Sequence, residues 1–475
     1  MLILEEIDFL VIGSGPSGQK AAIQASKSGR KVHVIEGWET GGSSLWTGTI
    51  PSKALRAAIL DLTNFSEKSF YAEKYKLPKM SDISISDLNF RVNWVKSHLK
   101  ETIARQLKKN GIEVVSGFAK FIDPHTVDVI LEDKIIKRLR AKTILLATGS
   151  RPRCPKDVPF DGKKVFDSTT LLDMNIVPKS MIVIGAGIIG TEYASMFCVL
   201  GTKVTLVDKR SRMLPFLDRE IGAHLQVALE ESKLIFMGEK EYNKIIVKEK
   251  GVEVLFKDGT SLHAETVLVA AGREANVRGL EINNAGLSLN AKGYLDVNEH
   301  YQTKVAHIFA AGDLIDGPCL SSSGYVQGRL AGMSACGMNV DRFKTLYPYG
   351  IYTIPEISSI GKTEEEVQSK GSEYEVGRAY FYEISKSMIS GSESGMCKLI
   401  FNPRNFELLG AHIIGLGATE SIHLAQVAIS FNLKIDYFVE HVFNFPTFAE
   451  MYRIAALNGI NKCKKGFKYG NLQHL

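Results

Sequence analysis

A glycine-rich turn set between two buried strands occurs twice in this chain, and this repeat constrains the fold more than any other sequence feature. In the first copy, the apolar residues 9–12 lead directly into Gly-Ser-Gly-Pro-Ser-Gly at 13–18, and a second apolar run ends at Glu36. The other copy carries Gly-Ala-Gly-Ile-Ile-Gly at 185–190 and ends at Asp208. The acid follows the first glycine by 23 residues both times. Two units with matched spacing predict two Rossmann-type α/β folds, each with a parallel sheet.

Each glycine of this motif meets a separate physical requirement. The first permits a tight turn from strand to helix, the second lets the backbone approach a pyrophosphate, and the third lets helix and strand pack closely. The pyrophosphate then lies at the positive end of the helix, and the acid accepts hydrogen bonds from ribose hydroxyls. We therefore expect both turns to bind dinucleotides. The residues concerned are Gly13, Gly15, Gly18 and Glu36 in the first copy and Gly185, Gly187, Gly190 and Asp208 in the second.

Three more apolar strands end in small residues, which would let a bound dinucleotide come close to the backbone. The first two end at Gly149 and Gly272, and the third runs through Ala-Ala-Gly to Asp313. From about residue 346 the pattern changes to antiparallel strands and a helix, without a further glycine fingerprint. We therefore predict a separate C-terminal α+β domain with another role.

The composition and charge exclude several other classes of protein. The 475 residues carry a formal net charge of +6, which is small for this length and predicts neither nucleic acid nor an anionic membrane as a partner. No apolar run reaches the roughly 18 residues of a membrane span, and residues 1–6 lack the basic start of a signal peptide. The six cysteines show no metal-ligand spacing. We expect reduced thiols, no metal site and a cytoplasmic location.

Over essentially its whole length, the order of these motifs resembles the pyridine nucleotide-disulfide oxidoreductase family. The resemblance implies that the first fingerprint binds FAD, that the second binds NAD(H) or NADP(H), and that the C-terminal domain forms a homodimer. It also implies where the domains begin and end. These domains are FAD-binding segments at 1–155 and 276–345, a NAD(P)-binding domain at 156–275 and a dimerisation domain at 346–475.

The resemblance also implies roles for individual side chains. Lys53 would lie near flavin N5 and pair with Glu192, where a cation would stabilise anionic reduced flavin. The alternative is that these two residues form a structural ion pair only. Asp313 would bond the flavin ribityl chain. The implied FAD residues are Gly13, Gly15, Gly18, Glu36, Gly42, Ser43, Ser44, Lys53, Ala119, Gly149, Asp313 and Ser321. The implied NAD(P) residues are Gly185, Gly187, Gly190, Asp208, Lys209, Arg210 and Gly272.

Two segments depart from the disulfide-reducing members of the family. Those members carry two cysteines, five positions apart, where this chain has Ser44 and Thr49. Their C-terminal motif has a histidine before its proline, where this chain has Phe445. A hydroxyl can form neither a disulfide nor a thiolate, and phenylalanine cannot move a proton. We therefore expect flavin chemistry without disulfide chemistry.

Within the family, three segments are most similar to the transhydrogenase branch. They are residues 48–56, 350–359 and 452–459, although that branch usually keeps a cysteine at the position of Ser44. The similarity implies that one nucleotide pocket serves hydride transfer from NADPH to FAD and then from FAD to NAD+. Two alternatives stay open. One is an NAD(P)H:acceptor reductase that passes electrons to a quinone, a dye or oxygen, and the other is a flavin-binding protein that has lost its catalytic activity.

The acid of the second fingerprint bears on the choice of nucleotide. Asp208 favours the free 2′-hydroxyl of NAD(H) and repels the 2′-phosphate of NADP(H). Lys209 and Arg210 follow at once and could bind that phosphate, or they could be solvated surface charges. This mixed edge is compatible with an enzyme that accepts both nucleotides.

The two hydroxyls predict that disulfides are not substrates. Lipoamide and glutathione disulfide should not be reduced at the expense of NADH or NADPH, because Ser44 and Thr49 cannot exchange with a disulfide. The reduced enzyme should also lack thiolate–flavin charge-transfer absorbance. Steady-state assays run beside a dihydrolipoamide dehydrogenase, together with absorbance spectra after two-electron reduction, check this. Lipoamide turnover at rates typical of dehydrogenases would contradict it.

Overall fold

The computed structural model of the chain describes residues 4–67, 84–340 and 346–463, which form two compact units. Each unit is assembled from separate stretches of chain. The first takes its described residues from Met1–Lys156, Phe166–Ile176 and Ala271–Lys344, and the second from Asp157–Val165, Val177–Ala270 and Thr345–Leu475. The second unit therefore contains residues predicted for both the NAD(P)-binding and the dimerisation domain. The predicted domain boundaries themselves stay predictions.

A seven-stranded sheet with parallel and antiparallel pairs lies at the centre of the first unit. The apolar run 9–12 is the end of the strand Leu4–Ile12, which pairs in parallel with Val32–Glu36 on one side and Lys134–Leu146 on the other. Ile308–Ala310 pairs in parallel with the carboxyl-terminal end of Lys134–Leu146. The order of the other six strands is Glu113–Ser116, Val32–Glu36, Leu4–Ile12, Lys134–Leu146, Thr126–Leu131 and Phe118–Phe121. The parallel part of this sheet confirms the first Rossmann-type prediction.

Two helices of the first unit pack closely because small residues lie between them. A Cβ atom at Gly328 would lie 2.0 Å from the Ser17 carbonyl oxygen, and one at Gly332 would lie 2.9 Å from the Ala21 carbonyl oxygen. These glycines belong to the helix Ser321–Ala335, which packs against the fingerprint helix Pro16–Lys27. The helices of this unit are Pro16–Lys27, Gly42–Trp46, Thr49–Glu67, Ile85–Lys109 and Ser321–Ala335, with 3₁₀ turns at Thr170–Asp173 and Ile282–Ala285. The short strands Ser150–Pro152 and Arg273–Ala275 pair with each other.

The second unit repeats this plan around its own fingerprint. Ser180–Ile184 pairs in parallel with Lys203–Val207 and with Thr266–Val269, which confirms the second Rossmann-type prediction. The strand order is Ile235–Met237, Lys203–Val207, Ser180–Ile184, Thr266–Val269 and Val165–Phe166, and in this last strand the chain passes from the second unit to the first. A separate antiparallel sheet contains Tyr242–Lys248, Gly251–Phe256 and Ser261–Ala264. The helices of this part are Ile188–Val199 and Arg219–Glu231.

The C-terminal part of the second unit has the predicted α+β character. Its antiparallel sheet has the strand order Tyr349–Ile351, Ile357–Gly361, Leu408–Ile414, Met396–Phe401 and Glu375–Tyr380. Its helices are Glu364–Ser369, Ser385–Ser390, Ala418–Ser430, Tyr437–Glu440 and Glu450–Ile460, with a 3₁₀ turn at Phe381–Glu383. None of the helices that the structure describes, in either unit, combines the length and the apolarity that crossing a membrane requires.

A buried cluster of charges ties this C-terminal sheet to the start of the helix Arg219–Glu231. The Lys398 ammonium, on a side chain that is 1% exposed, lies 2.9 Å from Asp218, 3.0 Å from Glu220 and 2.6 Å from Glu364. Burial lowers the pKa of Lys398, but the three carboxylates outweigh burial and raise it. Because a buried ammonium without partners is strongly unfavourable, the cluster holds sheet and helix in one relative position.

Gly328 offers a test of the close helix packing in the first unit. A methyl carbon at Gly328 would lie 2.0 Å from the Ser17 carbonyl oxygen, so the helices would have to move apart. We expect Gly328→Ala to lower the free energy of unfolding by about 1–3 kcal/mol, the usual range for overpacking. Gly222→Ala is the matched control. A Cβ there meets nothing within 4 Å, and it should gain about 0.5–1 kcal/mol from helix propensity. Urea denaturation measures both, and equal stabilities would contradict the packing argument.

Candidate functional site

The first glycine turn has no room for side chains at two of its three glycines. A Cβ atom at Gly13, where φ is 101°, would lie 2.4 Å from the Ala147 carbonyl oxygen. One at Gly18 would lie 1.8 Å from the Gly13 carbonyl oxygen. At Gly15, in contrast, a Cβ would meet nothing within 4 Å. The turn is therefore tightly packed on its strand side and open at the glycine expected to face a pyrophosphate, which fits a dinucleotide.

The second glycine turn has the same geometry. A Cβ atom at Gly185, where φ is 105°, would lie 2.4 Å from the Ala270 carbonyl oxygen, and one at Gly190 would lie 1.9 Å from the Gly185 carbonyl oxygen. Gly187 again has open space around the position of its missing Cβ. In both turns the following helix begins without a side-chain cap on its amide groups. Amide groups in this position suit the oxygens of a phosphate.

Glu36 holds the first turn from the end of the neighbouring strand. Its carboxylate accepts hydrogen bonds from the Ser14 N–H at 2.8 Å and from the Ser14 hydroxyl at 2.6 Å. The same hydroxyl accepts a hydrogen bond from the Gly41 N–H at 3.0 Å, and a Cβ at Gly42 would lie 2.8 Å from the Gly15 Cα. The predicted FAD residues that the structure thus brings together are Gly13, Gly15, Gly18, Glu36 and Gly42.

Three hydroxyl groups of the first unit meet where two helices begin. The Ser44 Oγ lies 2.8 Å from the Ser321 Oγ, and the Thr49 Oγ1 lies 3.1 Å from the same oxygen. Ser321 is the first residue of Ser321–Ala335, and Thr49 is the first residue of Thr49–Glu67. Ser44 and Thr49, which stand where the disulfide reductases have cysteines, are therefore both hydrogen-bonded to Ser321. We call these three residues the hydroxyl cluster.

Asp313 is anchored by two residues that the sequence reasoning missed. The Ser150 hydroxyl donates to the Asp313 carboxylate at 2.7 Å. Arg273 donates to the Ser150 hydroxyl and to the Ser150 carbonyl oxygen, both at 2.7 Å. Burial lowers the pKa of Arg273, and the nearby Asp313 opposes this. Ser150 directly follows Gly149, and Arg273 directly follows Gly272. A polar residue after each strand-end glycine is therefore the sequence feature that could have indicated these two residues.

The other predicted FAD residues lie on elements that border this region of the first unit. Ser43 is in the helix Gly42–Trp46. The Lys53 ammonium donates to the Ser52 hydroxyl at 3.4 Å. Ala119 lies on the strand that follows Gly117, whose N–H donates to the Glu36 carbonyl oxygen at 2.9 Å. The contacts of these three residues with FAD stay predictions.

Asp208 takes the place of Glu36 in the second turn, but it is paired with an arginine. Its carboxylate accepts hydrogen bonds from the Ala186 N–H at 2.7 Å and the Arg210 N–H at 2.8 Å. The Arg210 guanidinium adds two bonds, from Nε to Oδ1 at 2.8 Å and from Nη2 to Oδ2 at 2.6 Å. Burial raises the pKa of Asp208, but these hydrogen bonds outweigh it and lower the pKa. Lys209 is exposed beside the pair.

Glu192 is buried in the second unit, on the helix Ile188–Val199. Its Oε1 accepts a hydrogen bond from the Tyr352 N–H at 2.8 Å. Lys53 belongs to the first unit, and its pairing with Glu192 stays a prediction. Gly272, which was predicted to bind NAD(P), also belongs to the first unit, where its carbonyl oxygen accepts a hydrogen bond from the Arg153 N–H at 3.0 Å.

In residues 4–67, 84–340 and 346–463, no group of three or more His, Cys, Asp or Glu side chains could hold a metal ion. All six cysteines are free thiols. Burial raises the pKa of the Cys198 thiol to about 11, so it does not ionise near neutral pH. Phe445, at the histidine position of the disulfide reductases, is 70% exposed.

Comparison with known proteins gives matches over most of the chain. The family model described as "Pyridine nucleotide-disulphide oxidoreductase" matches residues 7–331, and the model of that family's dimerisation domain matches residues 347–456. A "Soluble pyridine nucleotide transhydrogenase" of Mycobacterium bovis is 41% identical, over 97% of this chain and 98% of that protein. A protein of the same name from Hahella chejuensis is 39% identical, over 96% of this chain and 98% of that protein.

Solved structures show the same fold. LpdA from Mycobacterium tuberculosis superposes with a TM-score of 0.86, and the HOCl-induced flavoprotein disulfide reductase RclA from Escherichia coli superposes with a TM-score of 0.85. Each is 24% identical and is matched over 95% of this chain and 99% of the solved one. At this identity the two structures bear on the fold alone.

The anchor of Asp313 predicts a measurable effect on flavin binding. Ser150→Ala removes the hydroxyl between Asp313 and Arg273, so the carboxylate loses its orientation and the dissociation constant of FAD should rise about tenfold, or about 1.4 kcal/mol. Ser232→Ala is the control, because this exposed hydroxyl belongs to the second unit and donates to the Ala228 carbonyl oxygen at 3.0 Å. Flavin fluorescence during titration of FAD into apoprotein measures both variants. Equal affinities would show that Asp313 does not depend on Ser150.

Proposed function

Because the chain belongs to the pyridine nucleotide-disulphide oxidoreductase family, we propose that it catalyses the reaction NADPH + NAD+ ⇌ NADP+ + NADH. The family uses FAD together with NAD(P)H. In this proposal the first glycine turn binds FAD and the second binds the nicotinamide nucleotides. The curated relatives, which match nearly the full length, are named for this activity.

The hydroxyl cluster is the observation that carries the proposal. Ser44, Thr49 and Ser321 bring three oxygen atoms together where disulfide exchange would need two sulfur atoms. Oxygen in these positions cannot take up electrons by forming and breaking a disulfide. The two dinucleotide turns, in contrast, keep their tight glycines and their acids. Electrons that enter from one nicotinamide nucleotide are therefore best returned to another.

The chain's own residues would bind and orient the reactants. Gly15 and Gly187 leave open backbone for the two pyrophosphates, and Asp313, held by Ser150, would orient the flavin side chain. Lys53 would place a positive charge near the reacting ring, which favours added negative charge there. FAD, when bound, supplies a two-electron carrier that can accept a hydride from one nicotinamide and return it to another.

The dimer and the cellular location complete the proposal. The C-terminal dimerisation domain supports a homodimer. We propose a cytoplasmic location, which is consistent with six free thiols in a chain of this length.

The number of glycine turns predicts the kinetic order. The sequence contains two such turns, and the first is assigned to FAD, so donor and acceptor nucleotides must use the second in turn. Initial rates with NADPH varied at several fixed NAD+ concentrations should therefore give parallel double-reciprocal lines, as in other reactions that proceed in two half-steps. Each nucleotide at high concentration should inhibit competitively against the other. Intersecting lines would contradict the shared pocket.

The same preparation distinguishes the proposal from an acceptor reductase. NADPH alone should bleach the bound flavin, and NAD+ should restore its absorbance in a stopped-flow experiment. If a quinone restores the absorbance and NAD+ does not, the chain is an acceptor reductase. If neither NADH nor NADPH bleaches the flavin, the chain is a flavin-binding protein without this activity.

A further inference from the structure

The two glycine turns provide an internal comparison of their acids. In the first, Glu36 accepts one hydrogen bond from the second residue of the turn at 2.8 Å and one from the Trp38 N–H at 3.0 Å. In the second, Asp208 accepts the two equivalent hydrogen bonds, one from the Ala186 N–H at 2.7 Å and one from the Arg210 N–H at 2.8 Å. The backbone around the two acids is therefore the same. The side-chain donors differ, because Glu36 accepts a hydrogen bond from the Ser14 hydroxyl at 2.6 Å, whereas Asp208 accepts two from the guanidinium two residues further on.

This difference changes what each acid can offer to a ligand. The Trp38 residue is 82% exposed and meets Phe118 edge-on. Arg210 instead folds back, and its Nε and Nη2 bind the two oxygens of Asp208 at 2.8 Å and 2.6 Å. A carboxylate has about four acceptor sites, and four donors already reach Asp208. A ribose diol must therefore compete with the guanidinium for the carboxylate.

Arg210 can meanwhile bind an anion without leaving Asp208. A guanidinium has five N–H donors in a planar fork, and two of them bind Asp208. The Arg210 side chain is 44% exposed, whereas the Asp208 side chain is 5% exposed. The remaining donors thus belong to the open side of the pair, where a phosphate group suits them well.

We propose that the Asp208–Arg210 pair lets one pocket accept both NAD(H) and NADP(H), an inference that rests on the proposed function. With NADP(H), Arg210 stays on Asp208 and binds the 2′-phosphate through its outer donors, which shields the phosphate from the carboxylate. With NAD(H), the ribose diol takes the place of the guanidinium on Asp208, and Arg210 moves towards solvent. Each nucleotide therefore finds a partner of suitable charge at the same position.

Equilibrium binding of two nicotinamide-free probes tests this pair. Calorimetric titration of the FAD-loaded protein with 5′-AMP and with adenosine 2′,5′-bisphosphate compares a free 2′-hydroxyl with a 2′-phosphate. Arg210→Gln should bind the bisphosphate about tenfold more weakly, a factor that corresponds to about 1.4 kcal/mol. The same variant should bind 5′-AMP at least as tightly as the unaltered protein does, because the guanidinium no longer competes with the ribose for Asp208. Loss of both ligands by the same factor would overturn the proposal.

Asp208→Asn should have the opposite effect. It removes the repelling charge, so the bisphosphate should bind more tightly relative to 5′-AMP. Combining the two changes gives a sharper test, because Arg210→Gln should no longer affect 5′-AMP once Asp208 is replaced. If Arg210→Gln changes the affinity for 5′-AMP equally in the unaltered protein and in Asp208→Asn, the ribose and the guanidinium do not compete for Asp208, and the proposal is overturned. Arg210→Lys keeps the charge but not the planar fork, and it should restore bisphosphate binding only partly.

Two nearby lysines serve as controls that separate the effect of the Asp208–Arg210 pair from that of general surface charge. Lys203→Gln removes an exposed charge at the far end of the strand Lys203–Val207 and should leave the ratio of the two affinities unchanged. Lys209→Gln should change the ratio less than Arg210→Gln does, and an equal change would overturn the role of the pair. These binding measurements do not depend on hydride transfer, because neither probe carries a nicotinamide. If the ratio of the two affinities shifts as stated while NADPH and NAD+ fail to react, the proposed function is wrong. The pair would then still distinguish 5′-AMP from adenosine 2′,5′-bisphosphate.

Discussion

The whole arrangement depends on how closely the backbone approaches itself at the two glycine turns. In each turn the first glycine lies so near the end of the adjoining parallel strand that a Cβ would be 2.4 Å from a carbonyl oxygen, that of Ala147 in one unit and of Ala270 in the other. A real Cβ at this distance would force strand and turn apart. Glu36 and Asp208 hold these turns from the neighbouring strand on the other side, through hydrogen bonds from the Ser14 and Ala186 N–H groups. A shift in either turn would therefore also displace its acid. One steric constraint thus positions both the glycine proposed to face the pyrophosphate and the acid proposed to face the ribose.

On this common frame, each unit carries different chemistry through a few side chains. In the first, Ser44 and Thr49 of the hydroxyl cluster stand at the thiol positions of the disulfide reductases, and Ser150 and Arg273 hold Asp313. In the second, Arg210 neutralises the acid that an NAD-specific fold would leave to the ribose. These differences alter single side chains and leave the backbone of both turns intact. An enzyme of this family can therefore lose disulfide chemistry and keep its nucleotide sites.

Two groups of paired charges in the second unit differ in how far water reaches them. The buried Lys398 ammonium is bound by Asp218, Glu220 and Glu364, and replacing Lys398 would leave the fully buried Asp218 without its lysine partner. The Asp208–Arg210 pair follows the opposite logic, because its arginine is nearly half exposed. Water can replace the carboxylate at that guanidinium, so separating the two groups costs far less. The Lys398 cluster suits a fixed junction, and the Asp208–Arg210 pair suits an exchangeable contact.

The sequence by itself determined the two Rossmann-type folds, because their glycines and acids lie within one short stretch and impose local backbone geometry. It also determined the absence of a thiol pair at Ser44 and Thr49, since residue type alone excludes sulfur chemistry there. Only the tertiary structure decided that Ser321, 277 positions away, joins Ser44, and that Ser150 holds Asp313 across 163 positions. The sequence placed Arg210 beside Asp208 but left open whether its side chain faces solvent or the acid. Such contacts depend on how distant strands and helices pack, and on which rotamer that packing admits, and neither is encoded in local spacing.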